Sequence, residues 1–179
     1  MTEIGGRRSI RLRDFDYSQE GAYFVTICTH NRALLFDLYP ALKEIILFNW
    51  AALPERFPVV NLDQFVIMPN HFHGIVAITH QGAHINPAGP PNDGRKDNSK
   101  IPQTITLGKV IGVFKSLCAS DWRHHCRVQT PFAEIRLWQR NYYDHIIRND
   151  QELNQIREYI LQNPLKWELD PENPSNIKP

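Results

Sequence analysis

The stretch Val66-Ile67-Met68-Pro69-Asn70-His71-Phe72-His73-Gly74-Ile75-Val76 decides how this chain folds. Two apolar, β-branched runs meet at Pro69-Asn70, a pair that forms turns and breaks helices, so Val59 to Met68 and His71 to Thr79 read as two strands of a tight antiparallel hairpin. Alternate side chains of a strand share a face, which sends His71 and His73 one way and Phe72 the other. The two histidine Cα atoms then lie roughly 6.6 Å apart at ~3.3 Å per residue, a separation from which two imidazoles can converge on one ion. One face of this strand thus offers a metal pair and the other a core anchor. The same pattern also suits two histidines on the polar face of a half-buried strand.

Working outward, Ala22 to Cys28 (AYFVTIC) is aromatic and β-branched behind Glu20-Gly21 and reads as a first strand. Leu42, Ile45, Ile46, Trp50 and Leu53 recur at helical spacing between Pro40 and the Phe57-Pro58 break, with Lys43, Glu44 and Asn49 as intervening polar positions. Beyond the hairpin, Leu107, Val110, Ile111, Phe114, Leu117 and Cys118 predict an amphipathic helix from about Thr106 to Arg123. Phe132 to Trp138 is the candidate fourth strand. Asn149 followed by Glu152 has the form of a helix start, and Asn163-Pro164 of its end. The order β-α-β-β-α-β-α predicts an α+β, ferredoxin-like βαββαβ antiparallel sheet with helices on its faces and one further C-terminal helix.

At 179 residues and 42% hydrophobic, the chain suits one α+β domain with one well-buried core. Residues 81–104 (QGAHINPAGPPNDGRKDNSKIPQT) carry no apolar periodicity and read as a flexible insertion loop. No apolar stretch approaches the ~20 residues of a membrane span, and the N-terminus lacks the apolar run of a secretory signal, so the expectation is a cytoplasmic chain with no membrane partner. Cys28, Cys118 and Cys126 are odd in number and lack CxxC spacing, which argues against a disulfide framework or a cysteine zinc site. Net charge is only +1, yet Arg7, Arg8, Arg11 and Arg13 form a basic arm over residues 1–13, and Lys115, Arg123, His124, His125 and Arg127 form a second cluster. Each is a solvated surface or a nucleic-acid contact.

On the C-terminal helix, Leu153, Ile156, Ile160 and Leu161 define the expected buried stripe, and Tyr159 and Asn163 fall together on its flank. Four residues apart, they lie about 6 Å apart along the axis and can face a common target. Alone, this pair is equally an edge aromatic followed by a helix-ending amide.

Three blocks, His71-Phe72-His73-Gly74, Trp138 to Arg148 (WQRNYYDHIIR) and Tyr159 to Pro164 (YILQNP), resemble in order and spacing the single-tyrosine HUH transposases. The run Gly21 to Thr29 and the overall size look most like their REP-associated tyrosine transposase branch. The resemblance covers roughly residues 7 to 168. It implies metal-binding histidines at His71 and His73, a third ligand at Asn163, a nucleophile at Tyr159 on the C-terminal helix, and Mg²⁺ or Mn²⁺ as the ion. It further implies a metal-dependent single-strand DNA endonuclease and strand transferase on hairpin DNA, working through a 5′-phosphotyrosine as a monomer or homodimer. A replication or mobilisation nickase of the HUH kind, and a hairpin-DNA-binding protein that no longer cleaves, are the alternatives. Tyr142 and Tyr143 are rival nucleophiles, read here as packing or DNA-contacting residues because no amide follows four residues on. Arg140 and Arg148 join the arm as candidate phosphate contacts, His145 is read as structural, and Glu152 as a helix-start carboxylate.

Overall fold

The computed structural model describes residues 15–79, 104–129 and 136–176. The arginines of the expected arm lie outside these residues, as does all of the expected loop except Thr104. Along the chain run β1 (Gly21–Cys28), α1 (Leu35–Leu38), α2 (Pro40–Ala51), α3 (Leu53–Arg56), β2 (Val60–Ile67), β3 (His71–Ile78), α4 (Leu107–Val128), β4 (Tyr143–Ile147) and α5 (Asp150–Gln162). The strands lie in the order β2-β3-β1-β4, and each neighbouring pair is antiparallel. This is the split βαβ arrangement: β1 and β2 are separated by β3, and β3 and β4 by β1.

The fourth strand is the clearest departure from the sequence reading. Of Phe132 to Trp138, the described part makes only an isolated bridge between Trp138 and Thr29, and the strand itself is Tyr143–Ile147. Trp138 is drawn out of strand pairing because its ring packs at 5.9 Å from Phe36 and its Nε1 donates to the Lys115 carbonyl at 3.1 Å. The hairpin at Pro69-Asn70 is present, with Ile67 paired to Phe72. The second helix starts on the Thr106 cap, whose hydroxyl accepts from Lys109 N at 3.2 Å, and runs five residues beyond Arg123 to Val128.

The sheet has two unlike faces. Helices α2 and α4 cover one, over a core that includes Trp50, Phe72, Phe114, Trp122 and Val76. Gly74 belongs to this face: a Cβ there would meet Trp50 Cζ2 at 2.7 Å and Phe72 Cε1 at 2.8 Å, so the tight seating of the Trp50 ring explains the glycine after His73. Asn49, one of the intervening polar positions of the helix, is buried and donates to Asp121 Oδ2 at 2.8 Å and to the Ile45 carbonyl at 3.0 Å. Helix α5 covers the opposite face, over a separate cluster of Phe24, Ile75, Ile147 and Ile160. One expected core is therefore two clusters, divided by the sheet. Leu161, expected in the buried stripe of α5, is 64% exposed.

Candidate active site

Alternation in β3 puts His71, His73 and Ile75 on the α5 face and Phe72, Gly74 and Val76 on the α2/α4 face. Both histidines are buried, and their Nε2 atoms stand 2.9 Å apart. Each ring is held from behind. Asn70 donates its amide protons to the carbonyls of Glu172 (2.7 Å) and Arg32 (3.2 Å), which fixes its Oδ1 as the acceptor facing His71 Nδ1 at 2.8 Å. His71 therefore carries its proton on Nδ1 and turns the Nε2 lone pair toward His73. His73 Nδ1 lies 2.8 Å from Thr26 Oγ1. A hydroxyl both donates and accepts, so the His73 tautomer follows whatever its Nε2 meets.

Burial, and after it the neighbouring His71, pushes His73 down to about 2. Burial also lowers His71, against the upward pull of the Asp170 and Glu172 carboxylates. Both rings are thus neutral at physiological pH, the form that ligates metal. Asp170, not singled out from the sequence, brings Oδ2 to 3.8 Å from His71 Nε2, and the donor atoms of His71, His73 and Asp170 all lie within 4.8 Å of one another. Asn163 caps the end of α5 with its side chain buried, and among the described residues its Oδ1 has no hydrogen-bond partner. Two neutral imidazoles and a carboxylate form a nitrogen and oxygen donor set that fits a divalent ion.

The nucleophile expected at Tyr159 is beside this cluster. Its hydroxyl is 3.4 Å from His73 Nε2 and its ring meets that of His73 edge-on at 5.4 Å. Phe24 completes the stack, lying over His73 at 5.1 Å and 27°. Burial, then the Asp170 charge, raises the Tyr159 phenol above its ordinary value, so the hydroxyl is protonated at rest.

Helix α5 reaches this position through three attachments. At its start, Asn149 Oδ1 accepts from Glu152 N at 2.8 Å, while the Glu152 carboxylate accepts from Arg148 N and meets His145 Nε2 on β4, both at 2.7 Å. The helix-start and structural readings of Glu152 and His145 are thus the same contact. In the middle, Arg157 grips Asp63 at the irregularity in β2 with a two-pronged fork, Nε to Oδ1 at 3.0 Å and Nη2 to Oδ2. Ile160 supplies the third by filling the small core.

A cavity of about 400 Å³ opens beside His73 and Tyr159 and is lined also by Tyr142, Tyr143, Asp170 and Glu172. The strand register places Tyr143 opposite Thr26 and Thr26 opposite His73, so Tyr143 shares the histidine face, whereas Tyr142 packs against the larger core. Cys28 lines the cavity and donates to Glu172 at 3.3 Å, and burial pushes its thiol up to about 12. Cys118 and Cys126 are buried. Of the second basic cluster, Lys115 turns inward to the carbonyls of Gln139 (2.7 Å) and Asn141 (3.0 Å). Arg140 and Arg148 are exposed on either side of β4. Sequence reasoning missed Asp170 and Glu172 because no periodic element carries them; the WELDPE run after the helix was their only trace.

The four-stranded antiparallel sheet with its covering C-terminal helix matches the fold of a tyrosine transposase. No family model matches the chain. An uncharacterized protein of Haemophilus influenzae is 38% identical over 181 residues, covering 93% of each chain. A second Haemophilus influenzae protein, assigned as a REP-associated tyrosine transposase, is 24% identical over 153 residues, 84% of this chain and 74% of its own. The solved structure of a REP-associated tyrosine transposase bound to a REP hairpin superimposes with a TM-score of 0.52 at 21% identity, over 88% of this chain and 74% of that one. The chain is thus similar in sequence and in fold to REP-associated tyrosine transposases. Among the described residues, no helix is long and apolar enough to cross a membrane.

Proposed function

We propose that this chain is a metal-dependent endonuclease and strand transferase for hairpin-forming single-stranded DNA, working through a 5′-phosphotyrosine. The observation that carries the proposal is the Tyr159 hydroxyl standing 3.4 Å from His73 Nε2, on the side where His71 and His73 converge. The solved relative's REP hairpin supports the substrate class.

His71 and His73 would hold the ion through Nε2, with Asp170 and Asn163 as oxygen donors. A bound Mg²⁺ or Mn²⁺ supplies Lewis acidity to the scissile phosphate and neutralises charge gathered on its oxygens. The remaining work belongs to the protein. Asn70 and Thr26 aim the imidazoles, and Phe24 and His73 hold the phenol ring. Tyr159 Oη forms a bond to phosphorus as the bond to the 3′-oxygen breaks, leaving a 5′-phosphotyrosine and a free 3′-hydroxyl. The phenol gives up one proton and the departing oxygen takes one, so the step is proton-neutral and its bond energy is kept for rejoining. Arg7, Arg8, Arg11, Arg13, Arg140 and Arg148 are proposed phosphate contacts, which position DNA without reading it.

The test is a denaturing gel of the full chain with end-labelled hairpins, drawn from inverted repeats flanking its own gene, in Mg²⁺ or Mn²⁺. Wild type should give a covalent adduct and Tyr159→Phe none, with hairpin affinity kept within a few fold. His71→Ala and His73→Ala should lose cleavage with either ion, while Asn163→Ala should recover part of it at raised metal. An adduct in Tyr159→Phe that maps to Tyr143 would move the nucleophile to β4. Tight hairpin binding with no adduct in either ion would leave a binding protein without cleavage. Deleting residues 1–13 should lower the slope of log affinity against log salt by about 0.7 to 0.9 per lost phosphate contact.

A further inference from the structure

Lys115 turns into the protein where the sequence suggests a solvated surface or a nucleic-acid contact, and the chemistry above gives it no role. We infer that Lys115 is a positioning residue: its ammonium clips residues 139–141 to α4 and so sets the strand that backs Thr26 and His73. The inference rests on the proposed function, since it assigns what holds and regulates that same site.

The geometry is that of three acceptors around one donor group. Lys115 Nζ lies 2.7, 3.4 and 3.0 Å from the carbonyls of Gln139, Arg140 and Asn141, and an ammonium has three N–H groups to donate. The clip is reciprocal: Trp138 Nε1 donates to the Lys115 carbonyl at 3.1 Å, and its ring lies 6.2 Å from that of Phe114 on the same helix. From the other side, Gln139 N donates to the Cys28 carbonyl at 3.0 Å and His30 N to the Leu137 carbonyl at 2.8 Å. Residues 137–141 are thus fixed between α4 and the end of β1 before the chain enters β4. The path onward to the site is short. Tyr143 opens β4 two residues after Asn141 and pairs with Thr26; Thr26 pairs in turn with His73 and brings its hydroxyl 2.8 Å from His73 Nδ1.

The clip depends on charge, because no carboxylate shares it. Among the described residues Lys115 bonds only to those carbonyls, and burial lowers its amine to about 8 against the upward pull of Cys28. Cys28 faces it from β1 as a protonated thiol, pushed up to about 12, and behind Cys28 the Glu172 and Arg32 side chains are paired with each other. Asp144, on the α4 side of β4, acts on Tyr23, and Arg140 is exposed. Protonated, the amine serves all three carbonyls. Deprotonated, it keeps two donors and turns a lone pair on the third oxygen. A rise in pH through the lowered value therefore loosens residues 139–141 and, through β4, the support of Thr26.

The experiment follows backbone carbonyl resonances of the full, carbon-13-labelled chain by NMR from about pH 6.5 to about pH 9.5, a window that brackets the lowered amine. The carbonyls of residues 139–141 should shift together with a midpoint of about 8, and those of Thr26 and Tyr143 should shift with the same midpoint. Lys115→Met keeps the length of the side chain and loses its donors, so its resonances should stay flat across the window. Lys115→Arg, protonated throughout, should be flat as well. In the adduct assay Lys115→Met should slow the reaction by about tenfold at saturating hairpin, with hairpin affinity and salt slope unchanged, because a displaced support misaligns the reacting groups. The wild-type rate relative to that of Lys115→Arg should fall as pH rises through the same midpoint. Carbonyls that do not titrate in the wild type would overturn the inference, as would a titration that persists in Lys115→Met or one that stops short of Thr26 and Tyr143. Weakened hairpin binding in Lys115→Met would make Lys115 a phosphate contact and overturn it too. Circular dichroism checks folding; where a variant fails to fold, the wild-type titration decides alone. The resonances involve no cleavage, so failure of the Tyr159 assignment and failure of the clip are separate results.

Discussion

The two faces of the sheet are built to different standards. On the α2/α4 side, rings of Trp50, Phe72 and Phe114 interlock at 4.6 to 5.6 Å between centroids. On the α5 side, four buried apolar residues are joined by polar links, the Arg157–Asp63 fork and the Glu152–His145 contact. Burying apolar area is the dominant favourable term in folding, whereas links between partly exposed charges add little. The α2/α4 face thus holds the fold together, and the α5 face carries the proposed site.

Substitutions should separate the two faces. The largest loss of stability is expected for Trp50→Ala, about 3–5 kcal/mol, because the ring is fully buried among other rings. Urea denaturation measures it, and a loss below about 1 kcal/mol would show that the α2/α4 face is not the stabilising one.

Ile160→Ala should cost about 2 kcal/mol, the low end for an aliphatic truncation, because its cluster is small and can collapse. Hydrogen exchange should then quicken in α5 with α4 unchanged. Uniform quickening across both helices would mean that the faces do not open separately.

A smaller effect is expected from acid. Asp63 is held below the ordinary carboxylate range chiefly by the hydrogen bond from Arg157. In Glu172, burial works upward, but Arg32 and Cys28 outweigh it and the net shift is again downward. Lowered folded values mean that both contribute stability present above the ordinary carboxylate pKa near ~4 and lost as pH falls through the folded values. Exchange protection of α5 and residues 170–173 should therefore fail below about pH 4 before that of α4. Simultaneous failure would erase the distinction.

Smallest in stability and large in activity are Asp63→Asn and Tyr159→Phe. Asp63→Asn removes the charge that the Arg157 fork grips two residues before Tyr159, so adduct formation should slow by about 10- to 100-fold with hairpin affinity unchanged. Adduct formation at the wild-type rate would show that the fork does not aim the tyrosine. Tyr159→Phe should leave the melting curve in place, since the ring is 45% exposed and only its oxygen is lost.

Local sequence determined a good deal. The hairpin at Pro69-Asn70, the opposed faces of His71 and Phe72, and the caps at Thr106 and Asn149 follow from turn chemistry, strand alternation and side-chain capping. Each involves residues close in the chain, so periodicity and turn signals suffice to read it. The expected nearness of Tyr159 to the histidines came from resemblance, because 86 residues separate Tyr159 from His73 and no local pattern spans them. Tertiary packing alone decided the rest. Trp138 left the strand for a place against Phe36, and pairing with β1 fell to Tyr143–Ile147 instead. Asp170 reached His71 from a segment with no period to read, and at the end of α5 Ile160 entered the small cluster while Leu161 stayed exposed. Periodicity says which way a side chain points relative to its neighbours in the chain; only the packed fold says what it meets there.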